Sequence, residues 1–152
     1  MLLNNIKSAP VPNDILLKKI PIENELDLPT SSQRIITNTL TCGKTISHPE
    51  YLMGGGQIQK YAFLKTIQNK KYKNALEWCA GHGEIGFELI TQNLCDSLTF
   101  MDLHPKSAEW CLKNAKDLGI ASCVSAYISD KISGIPQQAL FDLVVGNPPN
   151  AI

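Results

Sequence analysis

Charge imbalance is missing from this sequence. Its 152 residues hold 14 Lys and Arg against 14 Asp and Glu, so no global field draws the chain to nucleic acid or to a charged membrane surface. No apolar run approaches the roughly 18 residues needed to span a bilayer, and the first residues lack a signal-peptide pattern. Cysteine is sparse and unpatterned: Cys42, Cys79, Cys95, Cys111 and Cys123 are odd in number and form no C-x-x-C. That argues against a disulfide framework or a zinc site, and for a reducing, cytoplasmic compartment. Internal repeats and low-complexity tracts are also absent. With 43% hydrophobic residues, the chain is globular in composition and long enough to bury roughly two-thirds of its unfolded surface.

What is present is concentrated in one stretch, Asn74-Ala-Leu-Glu-Trp-Cys-Ala-Gly-His-Gly-Glu-Ile-Gly86. Residues 75–79 are short and largely apolar, as a buried parallel strand is. Gly81, Gly83 and Gly86 punctuate a tight turn, and residues 84–93 can continue as a helix. Such a corner suits a nucleotide, because glycine admits close backbone approach and a helix start presents free N–H groups. Gly81-x-Gly83-x-x-Gly86, with Asp102 16 positions further on, also satisfies a dinucleotide fingerprint. Glu77, however, stands four residues before Gly81, at a strand end where a carboxylate needs a polar partner.

Residues 1–53, holding Pro10, Pro12, Pro21, Pro29 and Pro49, read as an irregular N-terminal segment, either a substrate-side cover or a disordered leader. Residues 15–20 and 32–40 suggest short helical or extended pieces. The run from Thr30 to Gln33 offers a capping hydroxyl ahead of a helix-compatible run, 34–40. Residues 54–152 form the binding domain. Gly54-Gly55-Gly56 leads into a predicted helix over 57–68, with Ile58, Tyr61, Ala62, Leu64 and Ile67 mostly on one face. Lys65, Lys70, Lys71 and Lys73 form a local basic run, suited to phosphate or to plain solvation.

Further strands are expected at 97–102, 122–128 and 141–146, with a helix from Pro105 to the stop at Gly119. The alternation of strand and helix predicts a mostly parallel sheet with flanking helices. Ligands of such sheets bind at the carboxyl ends of the strands. Glu77, Asp102, Asp130 and Asn147 all fall at that edge.

Glu77 followed by Cys79-Ala80-Gly81-x-Gly83 resembles the first motif of class I S-adenosylmethionine-dependent methyltransferases, with Cys79 in place of the first glycine. Asp102-x-x-Pro105-x-x-Ala108 with Asn114 resembles their second-motif region. The resemblance implies S-adenosylmethionine as cofactor and a Rossmann-like α/β fold. It implies that Glu77, Cys79, Ala80, Gly81 and Gly83 hold the cofactor, with Asp102 on the ribose, Leu103 beside the adenine and Asp130 on the adenine amine. The glycine turn and helix near residue 54 would close over the methionine end.

Asn147-Pro148-Pro149-Asn150 is the sharpest signal. Two prolines straight after an apolar strand fix φ and rigidify a turn. The run resembles the Asn-Pro-Pro-aromatic motif of the amino-methyltransferases acting on adenine N6, related amines or glutamine amide. By that resemblance the Asn147 side chain and the Pro148 carbonyl orient a planar –NH2, Pro149 and Asn150 border the acceptor, and no metal is needed. A dinucleotide enzyme has no use for such a turn, which decides against NAD.

The sequence departs from the family twice. Asn150 stands where an aromatic residue would stack on the acceptor, a contact worth about 1–3 kcal/mol on a base. The family also carries three more strands after this turn, so an incomplete, four-strand sheet is expected, as in a truncated product or one part of a split enzyme. A partner chain or self-association would then complete it. The reading is an N-methyltransferase whose acceptor, RNA, DNA or protein glutamine, stays open; a catalytically silent domain serving as partner or scaffold is the alternative, and an NAD-binding oxidoreductase domain the third.

Overall fold

The computed structural model describes residues 34–52, 57–67, 70–136 and 139–148, with the backbone alone at 57–59. The first element is a hairpin, β1 (Ile35–Thr39) and β2 (Thr45–Pro49), paired antiparallel. This corrects the helix-compatible reading of 34–40. Ile35, Ile36, Thr37 and Thr39 are β-branched, which favours a pleated strand over a helix. The turn is closed by Gly43 at φ 83°, with Leu40 donating to the Lys44 carbonyl and Gly43 to that of Leu40. The readings at 15–20, at the 30–33 cap and at Gly54–Gly56 lie outside the described residues.

Helix α1 (Gln57–Ile67) follows. Its buried face is the expected one only in part. Leu64 and Ile67 are buried as expected, but Tyr61 and Ala62 are exposed and Lys60 is buried with the leucine and isoleucine. A lysine goes inside only with partners, and Lys60 finds two carboxylates, described below. Next come β3 (Tyr72–Trp78), α2 (Glu84–Thr91), β4 (Cys95–Asp102), α3 (Pro105–Asp117), β5 (Val124–Ile128) and β6 (Leu143–Gly146). Strand β3 begins three residues before the expected start, because Asp142 receives the Lys73 and Asn74 N–H groups at 2.8 Å each and Tyr72 donates to the Leu94 carbonyl. Residues 121–123 form a 3-10 turn instead of strand.

The sheet runs β5-β4-β3-β6 and is parallel throughout. Alternation sends Ala75, Leu98, Phe100, Ala126 and Val145 to the face that carries the helices, where they form the main core with Phe87, Leu89, Cys111 and Leu112. The Phe87 and Phe100 rings meet at 4.9 Å, a tilted pair of the favourable kind. The opposite face holds a smaller core of Leu76, Met101 and Ile135. There Trp78, Ile132 and Val144 stay exposed, at and beside the β6 edge.

The hairpin is docked on the helices through polar contacts. Asn114 of α3 brackets Ser47, accepting from its N–H at 2.9 Å and donating to its carbonyl at 2.8 Å. Glu88 of α2 accepts from the backbone and hydroxyl of Thr41. Neither helix residue pays an unsatisfied-burial penalty.

Candidate active site

The corner after β3 is built by backbone bonds. Gly83 donates to the Ala80 carbonyl at 2.7 Å, closing a turn in which Cys79, Gly81 and Gly83 all have positive φ, at 54°, 54° and 79°. The Gly81 peptide is held from both sides. Its N–H donates to Asp102 at 2.8 Å, and its carbonyl accepts the Ser107 hydroxyl. The other Asp102 oxygen accepts the His104 N–H at 2.8 Å. Asp102 therefore ties the glycine turn to the loop entering α3, whose own cap is the His104 ring on the Lys106 N–H.

Glu77 is buried, and its carboxylate sits at the start of α2, accepting the Gly86 N–H at 2.7 Å. Burial pushes its pKa up to about 8, against the pull of the Gly86 and Ile85 N–H groups. Glu84 shows the opposite shift. Its hydrogen bond with His82, and then its pair with Lys60, hold it down to about 2 against the cost of burial. Glu84 meets the Lys60 ammonium and the His82 ring, whereas Glu77 lies deeper and meets backbone N–H groups.

One small, open hollow is lined by Glu77, Cys79, Ala80, Gly81, His82, Glu84, Ile85 and Asn147. The structure thus brings five of the expected site residues together, including Asn147 from the far side of β3. Gly83 is buried beneath, where a side chain would strike Phe100 and Cys111. Asp102 stands behind the turn and Leu103 is exposed beside it. Asp130 is exposed and borders a different hollow, with Trp78, Ile132 and Val144. Pro148 is exposed; Pro149 and Asn150 lie outside the described residues.

Sequence reasoning missed His82, Glu84 and Lys60. The signal was available in part: a lysine at the centre of a helix's inner face, and an acid at the first position of the next helix. Among the described residues, no group of three or more His, Cys, Asp or Glu is placed to hold a metal. None of their helices is long and apolar enough to cross a membrane.

The residues present fit S-adenosylmethionine better than a dinucleotide. A pyrophosphate needs the bare N–H groups of a helix start, whereas the Glu77 carboxyl already occupies the Gly86 N–H and lines the hollow. The methyl donor carries an ammonium and a sulfonium and needs no such anion site.

The comparisons agree with this geometry. The "Methyltransferase small domain" family matches residues 58–151, more than half of the chain. A release factor glutamine methyltransferase from Leptospira interrogans is 33% identical over 78 residues, which are 51% of this chain and 27% of that protein. The chain thus spans about a quarter of that relative. In fold it is similar to the 16S rRNA N2 G1207 methyltransferase of T. thermophilus, with a TM-score of 0.64 at 16% identity over 82% of this chain and 35% of the other. A putative methyltransferase from Escherichia coli gives a TM-score of 0.59 at 17% identity, over 74% and 64% of the two chains. With the glycine corner, its carboxylates and the family match in agreement, the chain belongs to the methyltransferase small domain family of S-adenosylmethionine-dependent enzymes.

Proposed function

We propose that the chain carries the cofactor-binding part of an N-methyltransferase acting on a planar amine or amide nitrogen. The observation that carries this is Asn147 at the end of β6, lining one hollow with Glu77, Cys79, Ala80 and Gly81. Bound there, S-adenosylmethionine supplies an electrophilic methyl group. The work of the chain is to hold it and to aim the acceptor. Cys79, Ala80, Gly81 and Gly83 form the turn that holds it, with Glu77 beside its cationic end. Asp102, Leu103 and Asp130 are assigned to its nucleoside. The Asn147 side chain and the Pro148 carbonyl accept the two N–H groups of the acceptor, leaving its lone pair free to attack; the displaced proton goes to solvent.

Protein glutamine is the acceptor favoured here, because the relative at 33% identity is named for it. An exocyclic amine of RNA or DNA presents the same flat –NH2. Residues 1–53, of which 34–52 are described, are assigned to the substrate-side cover, and the exposed edge of β6 is where a partner or a second copy would complete the sheet.

The test uses methyl-labelled S-adenosylmethionine with a glutamine-bearing peptide, an RNA and a DNA as parallel acceptors. Label on the glutamine nitrogen supports the full reading, and label on a base amine moves the acceptor to nucleic acid. Binding of S-adenosylhomocysteine without transfer to any acceptor would favour the silent-scaffold alternative. Heat from NAD and none from S-adenosylhomocysteine would sink the cofactor assignment.

A further inference from the structure

The glycine turn is bound to the hairpin through His82, whose ring is buried. Its Nδ1 faces the Leu52 carbonyl at 3.2 Å, and its Nε2 faces the Glu84 carboxylate at 3.0 Å. Both partners are acceptors, so the ring satisfies both only with a hydrogen on each nitrogen, as a cation. Asn38 of β1 also lies 3.3 Å from Nε2, and its amide can present oxygen or nitrogen. Lys60 pairs with Glu84 at 2.6 Å and with Glu88 at 3.4 Å, so the carboxylate that faces His82 also meets a buried ammonium.

His48 of β2 lies against this ring, fully buried, with centroids 4.1 Å apart and planes inclined by 23°. Its Nδ1 is 2.9 Å from the Pro49 carbonyl and must donate to it, which leaves Nε2 as the acceptor nitrogen. Among the described residues, that Nε2 is the buried side-chain polar atom without a partner. A proton placed there would meet no acceptor and would face the His82 charge across the stack. Burial first, with the neighbouring His82 behind it, holds His48 below its ordinary 6.5 against the upward pull of the Pro49 carbonyl and of Glu84. The docked hairpin therefore tolerates one charge on the pair and resists two.

We propose that the His48–His82 stack pins the β1–β2 hairpin over the glycine turn while it carries a single charge, and that a second proton releases it. His82 is then a positioning residue: it holds the Leu52 carbonyl over Gly81, where a side chain would come within 3.2 Å, and so braces the turn that lines the cofactor hollow. Glu88 on Thr41 and Asn114 on Ser47 hold the hairpin elsewhere, so release loosens the Leu52 end first. The link to cofactor affinity rests on the reading above; the pin itself does not.

The test follows amide hydrogen exchange in the wild-type chain, corrected for intrinsic rates, from about pH 7.5 to about pH 5. Protection of the β1–β2 amides should fall roughly tenfold or more across that range while β3 and β4 hold theirs. Affinity for S-adenosylhomocysteine, measured by calorimetry, should fall in parallel. His48→Phe keeps a stacked ring that takes no proton, and should flatten both profiles. Hairpin protection that ignores pH, or a pH response that persists in His48→Phe, overturns the proposal. Should that variant not fold, imidazole nitrogen NMR of the wild type decides: a neutral His82 ring near pH 7 overturns it, and a doubly protonated His82 beside a neutral His48 supports it. Failure to bind S-adenosylhomocysteine at any pH would instead count against the cofactor reading, with the exchange profile still deciding the pin.

Discussion

Glu77 reaches the Gly86 N–H at 2.7 Å only because Gly86 has no side chain; a Cβ there would stand 2.7 Å from the same carboxylate oxygen. Burial pushes this acid up to about 8 from an ordinary 4.5. A raised folded-state pKa means that the native chain holds a proton which the unfolded chain releases. The resulting stabilisation is complete below about pH 4.5 and is lost as pH rises through about 8. The loss is on the order of 3–5 kcal/mol. Glu77→Gln should remove that slope, so urea unfolding at about pH 5 and about pH 9 should show the variant gaining on the wild type at the higher pH. Parallel pH profiles would mean that Glu77 is not protonated in the folded chain.

Asn147 and Asp102 should fail in different ways. Asn147→Ala is expected to lower turnover by about 10²–10³, the scale of losing one oriented polar group, with affinity for S-adenosylhomocysteine little changed. Asp102→Ala releases the Gly81 and His104 N–H groups and should weaken cofactor binding and stability together, by about 1–3 kcal/mol in the latter. Steady-state kinetics, calorimetry and denaturant melts separate the two. Intact turnover in Asn147→Ala would rule out the amine-orienting role.

Cys79 occupies the first glycine position of the motif at φ 54°. A left-handed conformation costs a side-chain-bearing residue roughly 1–2 kcal/mol, against roughly 0.5–1 kcal/mol of extra backbone entropy for glycine. Cys79→Gly should therefore stabilise the chain by about 0.5–1 kcal/mol, readable as a rise in Tm. A clear destabilisation would show that the thiol contributes packing that outweighs the strain.

These three sites show what could be read from the sequence and what could not. The parallel sheet and glycine corner were legible because residues 75–79, the glycines and the run from Phe141 to Asn147 announce themselves locally. The hairpin was not. Its strands are held by residues far along the chain, Asn114 on Ser47 and Glu88 on Thr41, and no short-range pattern signals a partner that distant. Lys60 misled the helix reading for the same reason: a buried lysine looks like surface until Glu84 and Glu88 are placed beside it. Asp130 was placed by its strand end alone, and that pattern gave no sign that it borders Val144 and Ile132 in a second hollow.

Lys60 offers the sharpest stability test. Lys60→Met keeps the stem's volume but leaves Glu84 and Glu88 without their shared ammonium. Breaking a buried pair from one side costs about 3–5 kcal/mol, and the loss should show in denaturant unfolding at neutral pH. A change below about 1 kcal/mol would mean that the other contacts of the two acids, among them His82 on Glu84 and Thr41 and Gln92 on Glu88, satisfy them without the ammonium.

The last prediction concerns β6. In the described structure it pairs with β3 along one edge, and its other edge presents backbone N–H and C=O groups that another strand can use. Val144 is 58% exposed there, beside Trp78 at 40% and Ile132 at 62%, on the sheet face with the smaller core. Strands of parallel sheets are normally covered on both faces, and an apolar patch at an open edge favours association. The chain should therefore self-associate with rising concentration, visible by analytical ultracentrifugation between about 10 µM and about 200 µM. Val144→Lys adds an edge charge of the kind that blocks strand pairing and should move the distribution toward monomer with little change in Tm, since the side chain already faces solvent. A wild-type chain that stays monomeric and monodisperse across the range, with an unchanged profile for Val144→Lys, would show that the β6 edge is self-sufficient.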